Sequence, residues 1–122
     1  MPEILNCFPL TVFKDRLGLE PTYRKRLGGF ITESYRAGVK TGQSSRAAWI
    51  GDKNGWEFLQ EEAEFASLFK AMNLKLRAYL DMLSVNTERV ALRYTRSWGT
   101  VSERNQSIRR HRHNQSHISV VY

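Results

Sequence analysis

The strongest constraint on the fold is a long apolar pattern with helical spacing in the second half of the chain. Between positions 65 and 83, apolar residues recur at intervals of three and four. Because an α-helix turns once every 3.6 residues, this spacing places them on one continuous face. The pattern therefore predicts a helix of about five turns that buries this face. The apolar residues are Phe65, Leu68, Phe69, Met72, Leu76, Tyr79, Leu80 and Leu83, and the opposite face carries Lys70, Lys75, Arg77 and Asp81.

An earlier helix is predicted by its end signals as well as by its periodicity. Proline is favoured in the first turn of a helix and glycine just after the last, so Pro21 and Gly38 mark the expected limits. Between positions 40 and 55 the chain is rich in Gly, Ser, Asn and Asp, which predicts a loop with one brief strand around Trp49. The apolar face of the earlier helix consists of Tyr23, Leu27, Phe30 and Ile31.

After position 86 the apolar period changes from 3.6 to 2. Val90, Leu92 and Tyr94 alternate with other residues, which predicts a strand with one buried face. The segment 116–122 is predicted as another strand through Ile118, Val120, Val121 and Tyr122. Helices followed by strands favour the α+β class with an antiparallel sheet. We therefore expect 1–122 to form a single domain, with 1–86 mainly helical and a sheet beginning at 87.

Composition and charge limit the class of protein and its expected location. A hydrophobic content of 41% is enough for a core, and no apolar run approaches the roughly 20 residues of a membrane span. The start lacks the features of a signal peptide, and one cysteine, Cys7, cannot form an internal disulfide, so we expect a cytoplasmic location. The net charge of +7 is uneven: residues 1–88 hold 12 Lys/Arg against 11 Asp/Glu, whereas 89–122 hold seven Arg against one Glu.

The candidate chemistry lies in this basic C-terminal third. All three histidines fall between positions 111 and 117. Because side chains two apart on a strand point to the same face, His111 and His113 would project together and could bind a single metal ion. Neutral imidazole suits Fe, Zn, Cu and Ni alike, so these residues do not by themselves name the metal.

Three other readings of the same residues stay open at this point. The run 109–113 could be a solvated basic segment. It could contact nucleic-acid phosphates, with Trp98 stacking on a base. It could also form a zinc site with His117, although on a continuing strand that residue would lie ~13 Å from His113. The arginines of the nucleic-acid reading are Arg104, Arg109, Arg110 and Arg112.

The order of motifs resembles a family of 2-oxoglutarate and Fe(II)-dependent oxygenases common in marine bacteria and their phages. In that family a Ser-Trp strand leads to a His-x-His motif, then a serine, then a Ser-Gly-Val-Tyr-Tyr-like strand. Here 96–99 reads Arg-Ser-Trp-Gly, 106–113 ends in His-Arg-His, and 116–122 reads Ser-His-Ile-Ser-Val-Val-Tyr. The opening Phe-Pro-Leu-Thr-Val-Phe at 8–13 also resembles the family's Phe-Pro-Thr-x-Val-Phe, so the resemblance extends over most of the chain.

The resemblance implies a fold and a set of roles. The family fold is a double-stranded β-helix, a cupin-like jelly roll, so 87–122 would be the first strands of an incomplete barrel packed against N-terminal helices. His111 and His113 would be metal ligands for Fe(II), and Trp98, Ser119 and Tyr122 would line the site of the cosubstrate 2-oxoglutarate. The third ligand and the basic residue that binds 2-oxoglutarate would lie beyond Tyr122.

On this reading the chain is an N-terminal fragment of a dioxygenase, inactive without its C-terminal strands, and no catalytic residue is assigned within it. The substrate would be a small molecule or a peptide. A basic nucleic-acid-binding module and a cupin-like metal-binding protein without oxygenase activity are the alternatives. An exposed sheet edge at 118–122 would favour self-association, because unpaired strands template pairing with another chain.

Overall fold

Two helices form most of the regular structure in the computed structural model, which describes residues 11–40, 49–50, 58–102, 104–105 and 116–122. Helix α1 spans Pro21–Lys40 and helix α2 spans Ala66–Met82. Two 3₁₀ turns, Leu59–Glu61 and Ala63–Phe65, lead into α2. The strands β1 (Trp49–Ile50) and β2 (Gly99–Thr100) are two residues each. Both predicted helices are thus confirmed, although α1 continues past the predicted stop at Gly38 to Lys40, and the brief strand around Trp49 is confirmed as well.

The core lies between α1 and the start of α2. Phe65 is 1% exposed, and its ring meets Phe30 of α1 edge-on, with centroids 5.5 Å apart. Phe69, one turn further along α2, makes a similar edge contact with Tyr94 at 5.0 Å. Edge-to-face aromatic pairs add specific geometry to the burial of apolar area. The buried cluster consists of Leu27, Leu59, Phe65, Leu68 and Phe69.

The beginning of α2 is capped from another part of the chain. No side chain of its own N-cap residue, Phe65, makes a capping hydrogen bond. Instead, the Tyr23 hydroxyl of α1 accepts from the backbone N–H of Leu68 at 3.1 Å and donates to the Glu64 carbonyl at 2.8 Å. Since the first four N–H groups of a helix have no partner within it, Tyr23 satisfies one of them across the helix interface.

The end of α2 has the hydrogen bonds of a Schellman motif. The Ser84 N–H donates to the Asp81 carbonyl at 3.0 Å, and the Val85 N–H donates to the Leu80 carbonyl at 3.0 Å. Ser84 has a φ of 56°, the left-handed conformation that this motif requires after the C-cap. The helix therefore stops at a turn built without the usual glycine.

The segment before α1 runs alongside α2. The ring of Phe13 packs on that of Tyr79 with centroids 5.5 Å apart, and Asp15 Oδ2 lies 2.7 Å from Lys75 Nζ. The two contacts place residues 13–15 antiparallel to α2. The hydrogen bond from Lys75 is the main reason that the pKa of Asp15 falls below its usual value, and the N–H of Arg16 adds to this effect.

The sheet is much smaller than the sequence pattern predicted. β1 and β2 are antiparallel, with Trp49 paired to Thr100 and Ile50 to Gly99, and they form a two-stranded sheet. The predicted strand at 90–94 is wrong, because those residues form no strand ladder. The predicted strand at 116–122 is also wrong for the same reason. The described residues therefore do not show the first strands of a jelly-roll, cupin-like double-stranded β-helix, and that fold prediction is corrected to a mainly helical one.

A physical reason for the error is visible at Tyr94. Its ring packs edge-on against Phe69, and its hydroxyl donates to Asn73 Oδ1 at 2.6 Å. Side-chain contacts with α2 therefore hold this segment in place. The other members of the alternating pattern, Val90 and Leu92, are each 45% exposed. Alternation specifies a strand only where a neighbouring strand supplies the ladder, and none of the described residues does so here.

Candidate functional site

The segment Ser97–Trp98–Gly99 is held against the helical core from two sides. Ser97 forms a parallel bridge with Phe58, and its carbonyl accepts from the Leu59 N–H at 3.3 Å. Its hydroxyl donates to Gln60 Oε1 and accepts from the Gln60 N–H at 3.2 Å. These bonds join positions that are 37 residues apart in the chain. The segment that leads towards the histidines thus begins on a defined anchor.

Gly99 brings this segment into close contact with α1. It is buried, and a Cβ built on it would lie 2.9 Å from Cδ1 of Ile31 and 3.1 Å from Cγ1 and Cγ2. Contacts this short are repulsive, so a larger residue at this position would require the Ile31 side chain to shift. The sequence pattern gave Gly99 no role beyond ending a strand, because close approach depends on a partner distant in the chain.

Trp98 is half-buried, and its ring makes a cation–π contact with Arg96. The Arg96 guanidinium lies 5.6 Å from the indole centroid, within the range of a cation–π contact. This contact favours a structural role for the indole over free stacking on a base. Arg104, which the nucleic-acid reading also used, is exposed.

The structure describes only one of the three histidines that the sequence singled out. His111 and His113 lie outside the described residues, as do Arg109, Arg110 and Arg112. His117 is described and exposed. Across the described ranges, no group of three or more His, Cys, Asp or Glu residues is arranged to hold a metal ion.

Ser119 and Tyr122, predicted to line the cosubstrate site, are on the surface. Tyr122 is 61% exposed, and the Ser119 hydroxyl lies 3.4 Å from that of Ser116. Their proposed role therefore depends on contacts other than those of the described residues.

A shallow groove of about 310 Å³ lies along α1, and none of the predicted site residues lines it. Phe30 and Gly29 contribute its apolar part, and Arg26, Glu33 and Glu64 its charged rim. Arg26 Nε lies 3.4 Å from Glu64 Oε2, and its guanidinium is 5.2 Å from the Tyr23 ring centroid. Because both members of the ion pair are well exposed, its net energy is small. The sequence contains no motif for this groove, because Glu64 joins residues of α1 that lie more than 30 positions away from it in the chain.

Comparison with protein-family models, with curated proteins and with solved structures finds no match to this chain. Neither helix in the described ranges is both long enough and apolar enough to cross a membrane.

Proposed function

We propose that this chain carries the first metal-binding segment of an Fe(II)- and 2-oxoglutarate-dependent oxygenase, with His111 and His113 as metal ligands. The observation that carries this proposal is the order of motifs in the sequence. A Ser-Trp-Gly segment at 97–99, a His-x-His pair at 111–113 and a Ser-x-x-Tyr segment at 119–122 follow one another as they do in the oxygenase family that the chain resembles.

The chemistry of the two donors fits the proposed ion. Neutral imidazole nitrogens are common ligands of Fe(II), and a His-x-His pair supplies two of them close together in the chain. When bound, iron with 2-oxoglutarate and O2 would supply the oxidation of a C–H bond in a small-molecule or peptide substrate. His111 and His113 would contribute by binding the ion through neutral nitrogens.

The anchored segment at 97–99 supports the proposal from the structural side. A metal site needs ligands that enter from a rigid element, since loosely held ligands lose affinity. The bonds between Ser97 and Gln60 fix one end of the segment that leads to the histidines. Trp98, Ser119 and Tyr122 would line the cosubstrate pocket.

Metal titration of the histidine variants tests the proposal directly. Fe(II) is added anaerobically to the chain and to His111→Ala, His113→Ala and the matched control His117→Ala, with calorimetry as the readout. We expect His111→Ala and His113→Ala each to weaken binding by at least about tenfold, because each removes a ligand. His117→Ala should bind like the parent. Equal affinity in the parent and in a variant lacking both His111 and His113 would exclude these residues as the ligands.

Addition of 2-oxoglutarate to the iron-loaded chain gives a second readout. A keto acid chelated to Fe(II) produces a visible charge-transfer band, which Fe(II) bound by histidines alone or Zn(II) does not produce. The nucleic-acid alternative predicts instead a gel shift with single-stranded DNA that weakens steeply as salt rises. A salt-sensitive gel shift with no Fe(II) binding would favour that alternative.

A further inference from the structure

The outer face of α2 carries large apolar side chains that do not reach the core. Leu74 is 64% exposed and Met82 is 74% exposed, and the exposed Ala78 lies between them. At 100° per residue these three positions fall within an arc of about 80°. That arc is opposite the buried residues Phe65 and Phe69. The outward face of a surface helix is normally polar, so this apolar stripe marks a surface that another group would cover.

The stripe is flanked by opposite charges placed near its two ends. Lys70 precedes Leu74 by one turn, and Asp81 follows Ala78 by almost one turn. Both are exposed, and both lie on the same side of the stripe by the helical periodicity. When two copies of such a helix pair antiparallel, residues on the same flank meet each other. A two-fold axis near position 76 would therefore bring each Lys70 level with Asp81 of the second copy.

The same axis also matches the sizes of the apolar side chains. Leu74 of one copy would face Ala78 of the other, so a large side chain would lie over a small one, twice by symmetry. On the other flank, Lys75 is already paired with Asp15 of its own copy at 2.7 Å, which neutralises its charge near the axis. With Arg77 at the rim, about 100° from the middle of the stripe, the pairs Leu74–Ala78 and Lys70–Asp81 make this surface complementary to itself, as a two-fold interface between identical chains requires.

We propose that the outer face of α2 forms an antiparallel homodimer through Leu74, Ala78 and Met82, with Lys70 and Asp81 forming ion pairs between the copies. A stable interface generally buries at least about 1,200 Å² in total, and one pair of 17-residue helices provides roughly that area or less. The dimer is therefore a weak one, with a dissociation constant of about micromolar order. This inference is independent of the proposed metal site.

Sedimentation equilibrium of the whole chain tests the proposal. Between about 1 and about 300 µM, the parent should pass from monomer to dimer. Leu74→Glu places two buried carboxylates at the interface and should stay monomeric over that range. Because Glu and Leu have similar helix propensities and position 74 is exposed, the helical circular dichroism should not change. A parent that stays monomeric throughout, or a Leu74→Glu variant that dimerises like the parent, would refute the dimer.

Two further variants test the register and the location of the interface. Asp81→Lys should weaken the dimer, whereas the double variant Lys70→Asp/Asp81→Lys should restore it, because the charges remain complementary. Failure of the double variant to restore dimerisation would overturn the antiparallel register. The matched control is Val121→Glu, at an apolar position that is 97% exposed but distant in sequence from α2. Loss of the dimer in this control would place the association at the C-terminal segment and refute the proposal.

Discussion

Burial raises the pKa of the Tyr94 phenol, because desolvation disfavours the charged phenolate. The hydroxyl donates to Asn73, and the ring packs against Phe69, so the neutral form is the one that fits the folded chain. A folded-state pKa above the unfolded value means that the stabilisation is fully present below the unfolded pKa of about 10. It is lost as pH rises through the folded pKa, since the unfolded chain gives up this proton more readily.

We predict that the contribution of Tyr94 to the free energy of unfolding falls between about pH 9 and about pH 11. Other tyrosines and lysines also titrate there, so the parent must be compared with Tyr94→Phe. We expect the free energy of unfolding in urea to be higher for the parent at the lower pH, and the difference to shrink as pH rises. A difference that stays constant with pH would contradict the buried-phenol interpretation.

At the scale of elements, the end of α2 contains a strain that substitution can relieve. Ser84 adopts a φ of 56°, which costs a residue with a Cβ roughly 1 kcal/mol and costs glycine little. Its N–H donates to Asp81, and this backbone bond does not require the serine side chain. Ser84→Gly should therefore stabilise the chain by about 0.5–1 kcal/mol, measured as a higher midpoint in urea.

The matched control for this change is a glycine placed where the backbone is ordinary. Arg77→Gly, at an exposed position inside α2, should destabilise the chain by about 1 kcal/mol, because glycine is a poor helix former. If Ser84→Gly also lowered the stability, the proposed relief of left-handed strain at the helix end would be wrong.

At the scale of the whole molecule, stability depends on a small core. Phe65 is 1% exposed, and it connects the two helices because it is the N-cap residue of α2 and its ring meets Phe30 of α1 edge-on. Replacing a buried Phe with Ala costs about 3–5 kcal/mol, while small domains have only about 5–15 kcal/mol in total. Phe65→Ala should therefore remove most of the cooperative thermal transition seen by circular dichroism.

Val121→Ala serves as the control, since its side chain is 97% exposed. Surface substitutions of this kind change stability by about 0.5 kcal/mol or less. A Phe65→Ala variant that unfolds like the control would show that the cluster around Phe65 is not the core of the chain.

The helices could be predicted from the sequence because their signals are local. The core-facing apolar pattern from Phe65 to Leu80 involves only residues within a few turns of one another, and Pro21 marks a helix start by itself. The structure confirms both helices. The strands depend on partners far along the chain, and alternation at 90–94 did not reveal that Tyr94 would pack on α2 instead. The jelly-roll prediction was therefore wrong because strand pairing could not be inferred from the local alternation of residues.

The candidate site shows the same division. The His-x-His pair is visible in the sequence as a local motif, and its role as a metal site stays a prediction. By contrast, the bonds between Ser97 and Gln60 and the contact of Gly99 with Ile31 join distant segments, so no spacing rule could have found them. The one local sign was the glycine after Trp98, which in a strand marks either an end or a close approach.

The pairing of β1 with β2, together with the bridge from Phe58 to Ser97, has a consequence for the order of folding. In the sequence, α2 lies between the two segments that each pairing joins. Because β1 and β2 are about 50 residues apart, each of the two pairings closes a long loop at a substantial entropic cost. Helical turns form in about a microsecond without closing such loops. Each helix should therefore form before the ladder, and the two-residue ladder, which gains few hydrogen bonds for the loop it closes, should be among the last parts of the described chain to form and the first to open.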